Sequence, residues 1–275
     1  LLHTSFCGST LLARMLDVPG RAFCYKEPQA LIHLAQLKGS PSDYFRDDDK
    51  WQLLIDFVLG QLRQRWSHNE PSIIKPSNWV NSILPDLAAA TGGLKAVMLS
   101  IGAADFLAAV FRGGGERVRF TYSLLTHLQP SLPEYTDLIA SVLAAELDTV
   151  QMFARMTLIA HAMQLRAFSQ LASLLPADDF GHCSYNGLLR DSETLSQRAA
   201  KTLELDLSLS ELKSSIESNV RRHSKVSDRD YDQRQAEQVN REVNSAYFDS
   251  FLDALYWGSR HLQSACLEVS NAVNS

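Results

Sequence analysis

Four cysteines in 275 residues, at positions 7, 24, 183 and 266, leave no CxxC pair and no closely spaced disulfide framework. That usage fits free thiols in a reducing compartment, and the expected location is the cytoplasm. Long apolar runs are missing as well. Nothing approaches the roughly 20 residues that a bilayer-spanning helix needs, so no membrane span is expected, and no signal-peptide pattern is present. A basic excess is absent, the formal net charge being −5, which argues against broad binding to nucleic acid or anionic membranes. Short metal-ligand spacings are lacking too. His127, His161 and the pair His182-Cys183 stand far apart in the chain, and no metal is expected. No GxGxxG follows a strand, so a dinucleotide oxidoreductase has no anchor. Internal repeats, low-complexity tracts and a clear interdomain linker are also absent.

What is present is a 45% hydrophobic content, enough for a full-sized core. The stretch Leu1 to Leu16 reads as strand, tight loop and helix, with small polar residues around Gly8 and then Leu11, Leu12, Met15 and Leu16 at helical spacing. Such a turn is a phosphate cradle in outline. The first-turn N–H groups lack intrahelical partners and the dipole adds partial positive charge, so an anion binds with few side chains. Ser9 and Thr10 add hydroxyl donors; the plainer alternative is a strand-turn-helix with a Ser/Thr cap.

Further strands are expected at Ala22 to Tyr25, Ser72 to Lys75, Leu94 to Leu99 and Phe180 to Tyr185. Helices are expected at Ala30 to Leu37, Trp51 to Trp66 and Ala103 to Phe111, with a short one ending near Leu87 to Ala90. The alternation over residues 1 to 112 predicts an α/β fold with a parallel sheet flanked by helices. Lys26 and Glu27 end one strand and Lys75 another, where Pro76 stops it, so all three fall on the edge at which open parallel sheets bind ligands. From Asp137 to Leu175 there is neither Gly nor Pro, and the apolar stripe predicts one long helix or two abutting ones. Helices at Leu188 to Leu203 and Asp206 to Val220 follow, the second capped by Ser208 or Ser210, and a terminal helix runs from about Gln235 to Leu267. A single domain over 1–275 is expected, with the sheet and phosphate-binding part in 1–112 and a mainly helical part in 113–275. The segments Lys38 to Lys50 and Gly113 to Glu134 are expected as mobile loops that build an acceptor pocket.

Ser5-Phe6-Cys7-Gly8-Ser9-Thr10-Leu11, followed by Lys26-Glu27-Pro28, Ile73-Ile74-Lys75-Pro76 and the strand-helix unit Val97 to Arg112, resembles the sulfotransferase family. That family uses 3′-phosphoadenosine 5′-phosphosulfate. The resemblance implies a P-loop nucleoside-triphosphate-hydrolase-like fold, with Ser5, Phe6, Cys7, Gly8, Ser9 and Thr10 as the phosphosulfate loop. Gly8, Ser9 and Thr10 match the family's pattern, and Glu27 takes the place of a catalytic carboxylate in tyrosylprotein-type members. Departures are equally specific. Phe6 stands where the family has Lys or Arg, Ser77 where cytosolic members place a His, and Ser100 and Ala109 are nearest to the positions that contact the 3′-phosphate.

On that resemblance the expected activity is sulfuryl transfer to an acceptor hydroxyl or amine. Glu27 is the general base, Lys26 or Lys75 replaces the missing loop cation, and Arg222, His223 and Lys225 hold the 3′-phosphate together with Ser100. The expected partners are a nucleotide-type donor and an acceptor. A phosphate- or nucleotide-binding protein of the same fold that has lost transfer is the alternative. A small-molecule kinase is disfavoured, because Ser9 follows Gly8 where a Walker A loop needs Lys.

Overall fold

The computed structural model describes residues 1–39, 47–64, 70–220 and 233–262. Their contacts fall into two units, one comprising the described parts of Leu1–His3, Cys7–Ser100 and Gln170–Tyr231, the other those of Thr4–Phe6, Ile101–Ser169 and Asp232–Ser275.

Among the described residues the first unit holds all the strands: β1 (Leu2–His3), β2 (Phe23–Lys26), β3 (Ser72–Lys75), β4 (Ala96–Ser100) and β5 (Phe180–Ser184). Every ladder is parallel. Leu2 pairs with Met98 and His3 with Leu99, β4 pairs with β5 from Ala96–Phe180 to Ser100–Ser184, and β2 pairs with β3 from Phe23–Ser72 to Lys26–Lys75. The two ladders meet where Leu1 N donates to Ile74 O at 2.7 Å, His3 Nε2 to Pro76 O at 3.0 Å and Asn78 Nδ2 to His3 O at 2.6 Å. The strands thus form two sheets, β2-β3 and β1-β4-β5, which these bonds set side by side with β3 next to β1.

Helices surround this sheet in two groups. One packs α1 (Ser9–Leu16) with α10 (Ser192–Thr202) and α11 (Leu209–Val220); the other packs α2 (Gln29–Lys38), α3 (Asp48–Leu62), α4 (Leu84–Thr91) and the 3₁₀ stretch Asn78–Ile83. Right-handed crossovers running in opposite directions lie on opposite faces, which separates α1 from α2 and α3. The burial follows the periodicity, with Leu12, Met15 and Leu16 of α1 and Val97, Met98 and Leu99 of β4 fully enclosed. Between β5 and α10 lies the short helix α9 (Tyr185–Arg190).

The second unit is helical where it is described: α5 (Ala103–Arg112), α6 (Gly114–Leu128), α7 (Thr136–Ala144), most of α8 (Thr149–Leu174), α12 (Gln233–Ala246) and α13 (Phe248–His261). Its core joins Leu107, Leu124, Leu128, Ile159, Met163 and Phe251.

All five strands stand where the apolar runs predict them, and several helix boundaries are set by side-chain caps. The stretch without Gly or Pro is two helices, because Gln151 N donates to Asp148 Oδ1 at 2.8 Å and Asp148 N to Gln151 Oε1 at 3.2 Å, a reciprocal cap that starts α8 afresh. Asp191 accepts from Thr194 N at 2.9 Å and so divides α9 from α10. Ser208, rather than Ser210, caps α11: its amide donates to Glu211 Oε2 at 2.8 Å and its Oγ accepts from Glu211 N at 3.2 Å. Those contacts and Arg21 hold the Glu211 carboxyl down to about 2. The terminal helix is likewise two, interrupted at Tyr247, and its expected end beyond residue 262 lies outside the described residues. Trp66 does too, α3 ending at Leu62.

One expectation is overturned. Gly113 to Glu134 is not a loop: it is α6 followed by 3₁₀ turns at Gln129–Ser131 and Pro133–Tyr135. Thr121, Leu124, Leu125 and Leu128 bury one face of α6, a helical spacing masked by the three glycines at its start. Of the other expected loop, residues 40–46 lie outside the described residues; Lys38 ends α2, and Asp47 caps α3 by accepting from Asp49 N and Lys50 N.

Buried in the second unit, His161 donates Nε2–H to Ile101 O at 2.8 Å and lies tilted against the Phe106 ring with centroids 4.8 Å apart. Burial, only partly offset by that hydrogen bond, pulls its pKa from 6.5 to about 4. A histidine neutral in the folded state takes up its proton only on unfolding, so stability falls as pH drops from 6.5 towards 4 and levels off below. The full effect is on the order of 3 kcal/mol, at 1.36 kcal/mol per pKa unit. Urea midpoints at stepped pH are expected to show this acid loss, and His161→Gln is expected to flatten the slope in that window. An unchanged slope in the variant would show that His161 does not carry it.

Candidate functional site

Because all strands run parallel, the carboxyl ends of β1 to β5 emerge on one edge. The chain leaves β1 towards β2 and leaves β4 towards β5, in opposite directions, so the reversal of winding falls between β1 and β4. Open α/β sheets bind ligands outside the carboxyl ends at such a reversal.

The opening loop follows β1. Ser5 and Phe6 belong to the second unit, Cys7 to Thr10 to the first. Ser5 is fixed by α8, its amide donating to Gln164 Oε1 at 3.1 Å and its hydroxyl reaching the same oxygen at 3.4 Å. Phe6 has φ +63°, a left-handed backbone that costs a bulky residue of order 1–3 kcal/mol. Its ring lies 6.1 Å from Phe106 and 6.2 Å from Phe120, and the Arg117 guanidinium sits 4.7 Å from its centroid. Cys7 is fully buried, its Sγ bonded to Leu99 O at 3.3 Å, so the loop can offer a ligand its backbone but not its thiol.

Gly8 is the residue before α1, at φ +76° and ψ 13°; no side chain caps the helix and no acid occupies its first turn. Leu11 N and Leu12 N already bond to Gly8 O. A helix start of this kind leaves amide dipoles directed outwards. Ser9 is buried and Thr10 half-buried. A Cβ at Gly8 would lie 3.0 Å from Tyr185 Cε2, so the glycine serves both its backbone and the ring beside it.

At the far side of the sheet Lys26 and Lys75 are register partners with opposite surroundings. The exposed Lys26 ammonium donates to Asp17 Oδ2 at 2.6 Å. Lys75 is 1% exposed, the largest of the fully buried side chains, and donates to Glu27 Oε1 at 2.6 Å. Glu27, half exposed, sits just past β2 at φ +56°, its amide donating to Lys75 O at 2.7 Å. A left-handed, non-glycine carboxylate held from both its backbone and its side chain is a fixed chemical group, since backbone strain persists only where the surroundings over-determine it.

Ser100 ends β4 and its Oγ is hydrogen-bonded to His182 Nε2 at 2.8 Å on β5. Burial and the nearby Arg198 charge lower the His182 pKa from its usual value, which favours the neutral ring. Arg222, His223 and Lys225 lie outside the described residues. The structure therefore brings Glu27 to Lys75 and separates Lys26 from them, towards Asp17. Sequence reasoning did not point to Tyr185, His182, Gln164 or Arg117; the nearest signal was the polar cluster ending β5, since partners on distant strands and helices have no local spacing to betray them.

No family model matches the chain, and no curated protein matches it in sequence. Among solved structures, one described as the Sulfotransferase Domain from the Curacin Biosynthetic Pathway is similar, with a TM-score of 0.49 and 15% identity, over 77% of this chain and 75% of that one. Among the described residues no group of three His, Cys, Asp or Glu is placed to hold a metal ion, and no helix is long and apolar enough to cross a membrane.

Two glycines share φ +76° but differ in surroundings: Gly8 faces Tyr185, whereas a Cβ at Gly20 would meet nothing within 4 Å. Gly20→Ala is expected to cost about 1 kcal/mol for the backbone alone. Gly8→Ala is expected to cost more, by the displacement of the Tyr185 ring. Thermal denaturation of both variants measures the difference, and equal losses would refute the proposed role of the ring.

Proposed function

We propose that this chain is a P-loop-like sulfotransferase that moves a sulfuryl group from 3′-phosphoadenosine 5′-phosphosulfate to an acceptor hydroxyl or amine. The observation that carries the reading is the Glu27–Lys75 pair, with a buried ammonium 2.6 Å from a carboxylate locked at a strand end. Sulfuryl transfer needs donors for a charged group, a base for the acceptor proton and a cation near the bond that breaks. In this reading the opening loop, from Ser5 to Thr10, takes the 5′-phosphosulfate on backbone N–H groups and the start of α1. Glu27 accepts the acceptor's proton as its oxygen or nitrogen bonds to sulfur. The bond from sulfur to the bridging oxygen breaks, and adenosine 3′,5′-bisphosphate leaves. Lys75 orients the Glu27 carboxylate and supplies positive charge at the same edge.

A second reading has an observation of its own. Ser100 is already bonded to His182, and buried Ala109 offers no side-chain donor, so the two positions nearest the family's 3′-phosphate contacts give a donor little. A protein of the same fold that binds a phosphate or nucleotide without transfer would look like this.

Calorimetric titration with adenosine 3′,5′-bisphosphate, combined with turnover on a panel of hydroxyl and amine acceptors, separates the two. Under the transferase reading wild-type protein binds the bisphosphate, and Glu27→Gln keeps that binding while losing turnover by about 10²–10⁴-fold. Removing Glu27 leaves the buried Lys75 without its carboxylate, so the denaturation midpoint is expected to fall further for Glu27→Gln than for Lys75→Met. Full turnover in folded Glu27→Gln rejects Glu27 as base, and binding without turnover in the wild type favours the second reading.

A further inference from the structure

Between β1 and β3 on one side and α3 and α4 on the other lies a cavity of about 290 Å³, and every described residue that lines it belongs to the first unit. Leu59 and Leu62 of α3, Leu84 and Leu87 of α4 and Ile73 and Ile74 of β3 supply much of the wall. Leu2, Ser72 and Ala96 border it at the starts of three strands, and neither the opening loop nor the Glu27–Lys75 pair lines it. It is a space separate from the carboxyl edge.

Its chemistry is uneven in a way that selects a ligand. Among the described lining residues none is aromatic, so the wall offers aliphatic contact without a ring to stack on. An apolar cavity of about 150 Å³ stays dry and takes up a six-carbon ring, so one near 290 Å³ suits a chain of about ten carbons. The charged side chains in the described lining are both basic, Arg63 and Lys95. Lys95 is already engaged, its ammonium held by Asp179 at 2.5 Å and Glu204 at 3.0 Å. Arg63, the residue after α3, is exposed and forms no salt bridge among the described residues. A residue that both lines a cavity and meets solvent stands at its opening, as does the exposed Gly93. A guanidinium there offers a planar fork of five donors, matched to a carboxylate.

We propose that this cavity binds a medium-chain aliphatic carboxylate, with the chain among Leu59, Leu62, Leu84 and Leu87 and the carboxylate on Arg63. The assignment does not depend on the sulfuryl-transfer reading, since it uses no residue of that site. A ligand held here by the folded protein alone raises its stability by mass action, a readout independent of any turnover.

The test uses sodium decanoate and decan-1-ol, which share a chain and differ in the head group. Both are titrated by calorimetry into the wild type, Leu62→Trp, Leu205→Trp, Arg63→Gln and Arg63→Glu, with circular dichroism to check folding. Leu62 and Leu205 line the cavity, so a tryptophan at either position fills it. The wild type is expected to bind decanoate more tightly than decanol and to gain in denaturation midpoint with decanoate. Either filled variant is expected to lose at least tenfold in affinity for both ligands. Arg63→Gln is expected to weaken decanoate about fivefold, the size of an exposed ion pair, and to leave decanol unchanged. Wild-type protein that does not bind decanoate overturns the proposal, and so does full affinity in a folded filled variant. Equal affinity for acid and alcohol, or full decanoate affinity in Arg63→Gln, overturns the carboxylate assignment. Should neither filled variant fold, Arg63→Glu decides: decanoate weakened at least tenfold with decanol unchanged supports the proposal, and unchanged decanoate overturns it.

Discussion

An ammonium group shut away from water must find a counter-charge or be neutralised, and Lys75 meets that demand through Glu27. Much of the carboxyl edge of the sheet is arranged by this pairing. It fixes the chain just after β2 in a left-handed turn, closes the end of the β2–β3 ladder with the bond from Glu27 N to Lys75 O, and leaves the carboxylate half exposed. Lys26, its neighbour in register, contributes nothing to the pair, because Asp17 draws its ammonium aside. Two lysines that look alike in the sequence are a buried structural charge and a solvated one.

Much of the fold was legible because the strands are short runs bounded by breakers, and all five such runs are strands, β4 buried on both faces and β2 and β5 only partly covered. The placement of Glu27 and Lys75 at strand ends was legible for the same reason, Pro28 and Pro76 marking where each strand stops. Their pairing was not, since nothing in either segment says that β2 lies beside β3. Helix α6 was hidden by Gly113, Gly114 and Gly115, which read as a loop but form the link from α5 into a helix whose apolar face begins a turn later. The splits at Asp148 and Asp191 turned on single capping side chains within otherwise continuous apolar patterns. The left-handed backbones of Phe6 and Glu27 left no trace in residue type, because both are residues that ordinarily avoid that region.

The central position of β1 has a further consequence, for how the chain acquires its structure. Leu2 and His3 pair with Met98 and Leu99, and β4 in turn pairs with Phe180 to Ser184, so the sheet is closed by segments far apart in the chain. Contacts of such long range favour slow folding, because loop closure must precede any reward from pairing. During synthesis the first strand emerges long before either neighbour exists, and the β4 edge remains unpaired until β5 has been made. Through that interval an apolar edge is open to other chains, which makes the nascent protein, rather than the finished one, the form most exposed to aggregation.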